Sequence, residues 1–159
     1  MLLERKGFKC LISTSAGDFY SKGYSIFLKQ KDGTFKLVAT LKLSFFSKLL
    51  AQNALIARVL RLGIHNLILY ENILIGTIKG SIFTYDLLEN KQNLHPNPAR
   101  GSRPLNFAIY ENFVYFGEYF NNVKRDSVHI YRFSLSDLSI SRVYTFPKGS
   151  IRHIHGIFY

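Results

Sequence analysis

The chain has no tryptophan, one methionine, one cysteine and four prolines in 159 residues. The lone cysteine, Cys10, excludes an internal disulfide and any Cys-x-x-Cys metal or redox motif. It fits a reducing compartment. No stretch of about 18 uncharged apolar residues occurs, so no transmembrane helix is expected. Glu4, Arg5 and Lys6 interrupt the first residues, no apolar leader segment follows, and the cytoplasm is the favoured location. A phosphate-cradling glycine loop and a nucleophile elbow are also missing. No cofactor and no metal site is implied. Acidic residues are scarce, 10 against 21 Lys and Arg, for a formal net charge of +11.

What is present favours strands. The chain is 47% hydrophobic and 15% aromatic, which excludes low-complexity disorder. Its Phe, Tyr, Ile and Val suit a pleated, half-buried surface. One stretch occurs twice. Asn66-Leu67-Ile68-Leu69-Tyr70-Glu71-Asn72 returns, forty positions on, as Asn106-Phe107-Ala108-Ile109-Tyr110-Glu111-Asn112. Each copy is an apolar run, a Glu-Asn turn and a second apolar run, the pattern of a β-hairpin. A second pair is more distant. Asp32, Phe35, Val38 and Thr40 meet Asp137, Ile140, Val143 and Thr145 at a spacing of 105, and Tyr24–Leu28 is aligned with His129–Phe133 at the same spacing. An inner hairpin (66–76, 106–117) and an outer hairpin (24–41, 129–146) together make a four-stranded sheet.

A repeat of roughly 40–50 residues built from such sheets is the signature of a β-propeller blade. The expectation is an all-β chain, a partial β-propeller of about three four-stranded antiparallel blades. Blade 1 covers about 9–44, blade 2 about 64–95 and blade 3 about 104–146, with the first strand of a fourth blade at 151–159. Residues 46–62, rich in Ala, Leu and Arg, predict one helix inserted between blades. Ser15–Asp18 is assigned to a turn, and 89–104, with three of the four prolines, to a loop.

The positive charge is spread along the chain, with no basic run longer than two. A solvated surface is the plain explanation. The functional one is a basic face for an acidic glycan, a membrane surface or nucleic acid, and nucleic acid rests on charge alone. His153 and His155 stand two apart, so on a strand both imidazoles face one way, toward metal or acid–base chemistry or as polar lining. Glu118 and Tyr119 precede the Arg125-Asp126 loop. A carboxylate and a tyrosine beside arginines suit glycoside chemistry, and a surface Glu118–Arg125 ion pair is the plainer alternative.

Arg103-Pro104-Leu105, Phe116-Gly117-Glu118-Tyr119, Arg125 to Tyr131, Val143 to Phe146 and Ile151 to Gly156 resemble the sialidase-like (BNR/Asp-box) β-propeller proteins, which include bacterial glycosidase-like members. That family's Asp-box turn is degenerate here, as Lys31-Asp32-Gly33-Thr34-Phe35 and Ser136-Asp137-Leu138-Ser139-Ile140. The resemblance implies Glu118, Tyr119 and Asp126 as candidate catalytic residues. It implies Arg103, Arg125 and Arg152, with His153 and His155, as candidate ligand-binding residues, and Arg61 behind them. It also implies a six-bladed ring, for which this chain is short, so a truncated member is expected. The expected function is a non-catalytic or remnant module binding a glycan or a partner protein, with an exo-sialidase-type glycoside hydrolase as the alternative. A second copy, held through open blade edges, is a further expected partner.

Overall fold

The computed structural model describes residues 8–42, 63–101 and 104–159. Among these, every regular element is a β-strand, and twelve strands form three four-stranded sheets. The helix expected over 46–62 lies outside the described residues, as do Arg61 and Arg103. No helix among the described residues is long and apolar enough to cross a membrane. The chain divides into two compact units, Met1–Leu94 and His95–Tyr159.

The first unit begins with the meander β1 (Lys9–Thr14), β2 (Gly17–Lys22), β3 (Ser25–Lys29) and β4 (Phe35–Thr40). A second sheet follows in the same up-and-down order: β5 (Ile64–Tyr70), β6 (Ile73–Ile78), β7 (Ser81–Asp86) and β8 (Lys91–Pro96). Strand periodicity sends alternate side chains to opposite faces. Phe19, Ile26, Ala39 and Leu41 from the first sheet share one core with Ile64, Leu67, Leu74, Ile78, Phe83 and Tyr85 from the second. Burial of each large side chain contributes roughly 1.5–3 kcal/mol. In β6 every residue after Ile73 is buried, as expected of a strand covered on both faces. Thr77, buried among them, donates to the His65 carbonyl at 3.0 Å and so leaves no polar group unpaired. The Gln92 amide brackets Lys42, accepting from its N–H at 2.6 Å and donating to its carbonyl at 3.1 Å. This double bond ties the end of the first sheet to β8.

The second unit holds β9 (Ala108–Tyr110), β10 (Phe113–Gly117), β11 (Val128–Ser134) and β12 (Ile140–Phe146), again paired in chain order. Val114, Phe116, Val128, Tyr131 and Phe133 form its core. The Phe116 and Tyr131 rings stack with centroids 5.7 Å apart. Strand β12 is exposed along nearly its whole length.

Both outer hairpins carry the same irregularity. In β3–β4, Ile26 pairs with Ala39 but Phe27 pairs with Leu37, leaving Val38 as a bulge residue. In β11–β12, Ile130 pairs with Tyr144 but Tyr131 pairs with Arg142, leaving Val143 in the same place. Ser25 pairs with Thr40, and His129 with Thr145, and each pair is hydrogen-bonded through its side chains, at 3.1 and 3.0 Å. The match of Val38 to Val143 and Thr40 to Thr145 therefore holds. The alignment of Tyr24 with His129 is one residue off, because Ser25 is the true counterpart. The connecting loop is one residue longer in the second copy, and a gapless alignment could not register it.

Three segments differ from expectation. Residues Gly17–Lys22 form β2, although Ser15–Asp18 suggested only a turn; alternation in Phe19-Tyr20-Ser21 pairs it with β1 and β3. Lys91–Pro96 forms β8 inside the segment assigned to a loop, with its proline at the strand end, where a missing N–H is tolerated. Residues 151–159 form no strand. Their polar groups are taken elsewhere: the Ile154 N–H donates to the Glu118 carbonyl at 2.9 Å, and the Asn106 amide brackets Ile157 at 2.7 and 3.0 Å.

Candidate functional site

The predicted catalytic carboxylate lies just beyond β10, where Glu118 still pairs with β11 through its N–H to the His129 carbonyl at 3.1 Å. Its side chain is 0% exposed. Oε1 accepts from the backbone N–H and the Nε of Arg100, each at 3.0 Å. Oε2 accepts from Arg100 Nη2 at 2.6 Å and from the His129 N–H at 2.9 Å. Four donors on two oxygens saturate a carboxylate. Burial alone would push its pKa up and is the largest single influence. The Arg100 side chain, the two backbone N–H groups and the guanidinium charge together outweigh it, and the carboxyl sits below its ordinary value. Arg100 is raised in turn, chiefly by its hydrogen bond to Glu118.

The expected surface pair of Glu118 with Arg125 is thus replaced by a pair between the buried carboxylate and the partly exposed Arg100. Arg100 Nη2 also donates to the Ser127 carbonyl, and its guanidinium lies over the Phe120 ring, 4.3 Å from the centroid. The seat depends on the next residue. Gly101 has φ +98°, and a Cβ there would lie 2.0 Å from the Tyr119 carbonyl oxygen. The Arg-Gly pair in the proline-rich segment is the signal that could have identified this cation; its distance from Glu118 in the chain hid it.

Asp126 stands apart from that carboxylate. It closes a tight loop with Asn122, which is buried and satisfied at both ends: the amide donates to the Asp126 carbonyl at 2.9 Å, and its oxygen accepts from the Asp126 N–H at 2.8 Å. The Asp126 carboxylate faces Lys148 at 3.7 Å, both side chains largely exposed. Such a pair contributes little. Arg125 occupies a left-handed position, φ +50°, and its carbonyl accepts from the Gly149 N–H at 2.8 Å. That bond places the 122–126 loop beside the 147–150 turn. Lys124, Arg125 and Lys148 are exposed on these two adjoining segments, with Asp126 as the acid among them, and Arg152 is exposed two residues beyond the turn.

His153 and His155 do come together, although not on a strand. Their Nε2 atoms are 3.0 Å apart. Tyr119 packs by its edge against both rings, with centroids at 4.7 and 5.5 Å. Among the described residues, no three His, Cys, Asp or Glu side chains converge as a group that could hold a metal. A separate polar cleft of about 650 Å³ lies in the first unit, lined by Thr40, Lys42, Tyr85, Asn90 and Gln92 among others.

No protein-family model matches the chain, and no curated protein matches it. Solved structures give partial likenesses. The N-terminal domain of Nup159 aligns with 90% of this chain and 31% of its own length, at 9% identity and a TM-score of 0.47. An S. cerevisiae complex of Dbp5 with Nup159 and Gle1 aligns with 86% of this chain and 29% of the matched one, at 9% identity and a TM-score of 0.45. The computationally designed Ika8 protein covers 83% of this chain and 34% of its own, at 14% identity and a TM-score of 0.48. The chain thus spans about a third of the structures it matches, and these scores are too low for a shared fold or function to follow.

Proposed function

We propose that the chain is a partial β-propeller of three blades, of sialidase-like type, that binds an acidic glycan without cleaving it. The observation that carries the non-catalytic part is the state of Glu118. A general acid or nucleophile needs a carboxylate oxygen within reach of substrate, and both oxygens of Glu118 are occupied inside the protein. Tyr119, the other candidate, is turned against two imidazoles. Asp126 sits on the surface beside a lysine. The binding part is supported by the adjoining 122–126 loop and 147–150 turn, where Arg125 stands exposed with Lys124 and Lys148, and by exposed Arg152 two residues beyond the turn. Guanidinium groups there can receive a sugar carboxylate by bidentate hydrogen bonds.

Calorimetric titration tests this with sialyllactose against neutral lactose. The acidic sugar binds and lactose does not. Arg125→Ala and Arg152→Ala each weaken binding about tenfold, the loss of roughly one charge-assisted bond. Equal affinity for the two sugars overturns the glycan assignment. Release of fluorophore from a sialoside, abolished in Glu118→Gln, overturns the non-catalytic one.

A further inference from the structure

We propose that His153 and His155 form a two-imidazole chelate for a divalent late transition ion, with copper(II) preferred over zinc. Ile154 lies against Gly117, while the rings on either side of it meet each other. Ile154 is pinned from two sides. Its N–H donates to the Glu118 carbonyl at 2.9 Å, and its side chain lies where a Cβ on Gly117 would be, 2.5 Å from its Cγ2. With the middle residue fixed, the flanking imidazoles are presented together, and the Tyr119 ring packs against both. His153 is half-buried and His155 exposed, so the paired nitrogens are set while the remaining coordination positions stay open to water or an outside ligand.

The 3.0 Å separation is that of an N–H···N hydrogen bond between the two rings, and it brings both nitrogens within reach of one ion. Among divalent ions an imidazole pair binds copper(II) more tightly than zinc(II), by the general order of affinities. Without metal, one Nε2–H donates to the other ring's Nε2. On binding, the donor ring moves that proton to its own Nδ1, both Nε2 lone pairs go to the metal, and no net proton is lost.

The full chain, freed of metal with a chelator, is titrated with copper(II) at pH 7.5 and followed by calorimetry and by electron paramagnetic resonance. One ion binds per chain, with hyperfine structure from two imidazole nitrogens. Because the second arm binds intramolecularly, His153→Ala and His155→Ala each weaken affinity by about 100-fold. His129→Ala, whose imidazole pairs with Thr145 rather than with the two rings, leaves it unchanged. In a competition series copper(II) outcompetes zinc(II). His155 is exposed, so its removal leaves the fold intact, as urea unfolding will show. Copper affinity unchanged in folded His155→Ala, a spectrum with a single coordinated imidazole, or absence of copper binding each overturns the proposal.

Discussion

The hairpin of β5 and β6 and the hairpin of β9 and β10 start from the same residues and end in different chemistry. Both turn through Glu-Asn, with Glu71 at φ +50° and Glu111 at φ +52°. In both, the turn asparagine's carbonyl receives a leucine N–H from the end of the third strand: Leu87 to Asn72 and Leu135 to Asn112, each at 2.9 Å. Beyond that the copies part. The first continues as Gly76-Thr77-Ile78, wholly buried, with the Phe83 ring folded over Gly76. The second places Phe116 where the first has Gly76, so the strand fills that space itself. It then ends at Gly117 and Glu118, against Ile154 and Arg100. One copy is a packing element, whereas the other is a junction held by charge. What repeats is the turn and its carbonyl bond, and what differs is the last third of the second strand.

The charge at that junction is the largest difference and the easiest to break. Arg100→Ala leaves a fully buried carboxylate without its cation, which costs about 3 kcal/mol, the low end for a buried pair because Arg100 is itself 41% exposed. Glu118→Gln costs less, since it removes the buried charge itself, although its NH2 then faces one of the two backbone N–H groups that the carboxylate accepted. The two variants also separate in pH. The folded carboxyl of Glu118 lies below its unfolded value, so its contribution is complete above the unfolded pKa and is lost as pH falls through the folded one. Wild-type stability, read by urea unfolding between about pH 6 and 2.5, falls more steeply than that of Glu118→Gln. Parallel curves would mean that the junction is not ionic.

The glycines test the packing side of the contrast. At Gly76 an added Cβ would lie 2.6 Å from the ring of fully buried Phe83, and at Gly117 it would press on half-buried Ile154. Gly76→Ala costs about 2 kcal/mol, because the core cannot give. Gly117→Ala costs about 1 kcal/mol, because Ile154 is only half-buried and its side chain can yield toward solvent. Ile154→Gly, which also removes the Cβ that would lie 2.6 Å away, then relieves the contact in the second copy, while no change at Ile154 helps the first. Equal costs in thermal unfolding would remove the distinction between a core contact and a docked segment.

The parts of this architecture that were legible in sequence are those fixed by local chemistry. The Glu-Asn and Lys-Gly turns, the Asp-Gly hairpin and the apolar strands between them all follow from short-range rules. Strand β2 was hidden because Gly17-Asp18 looks like a turn, although it opens a strand. Strand β8 was hidden by polar residues such as Gln92, whose role is to bracket Lys42 from a distant part of the chain. Glu118 was found as a residue, but its partner was not. Proximity in sequence suggested Arg125, and the fold brings Arg100 through a glycine that only three-dimensional contact explains. The histidine pair was anticipated from alternation on a strand; the two rings meet, although residues 151–159 form no strand.

The outer hairpins give the finest comparison. Asp32 and Asp137 do the same work: each Oδ1 accepts the N–H and the hydroxyl of the residue two places on, Thr34 at 2.8 and 2.7 Å and Ser139 at 3.0 and 2.8 Å. Those bonds hold Asp137 down at about 2, with the Ser134 hydroxyl the first cause, and lower Asp32 as well, through Thr34. The residue between is left-handed in both loops, Gly33 at φ +81° and Leu138 at φ +59°. Glycine adopts that region freely, and leucine pays roughly 1–2 kcal/mol there. At Gly33 a Cβ would meet nothing within 4 Å, so Gly33→Ala reports the backbone alone and destabilises by about 1 kcal/mol. Leu138→Gly runs the other way. It relieves the strain but gives up a half-buried side chain and frees the unfolded chain, for a net gain of about 0.5 kcal/mol. Opposite signs in matched urea titrations establish one turn built twice, with the second copy still holding the strain that the first avoids. The same sign in both would mean that the aspartates share a hydrogen-bond pattern but not a backbone.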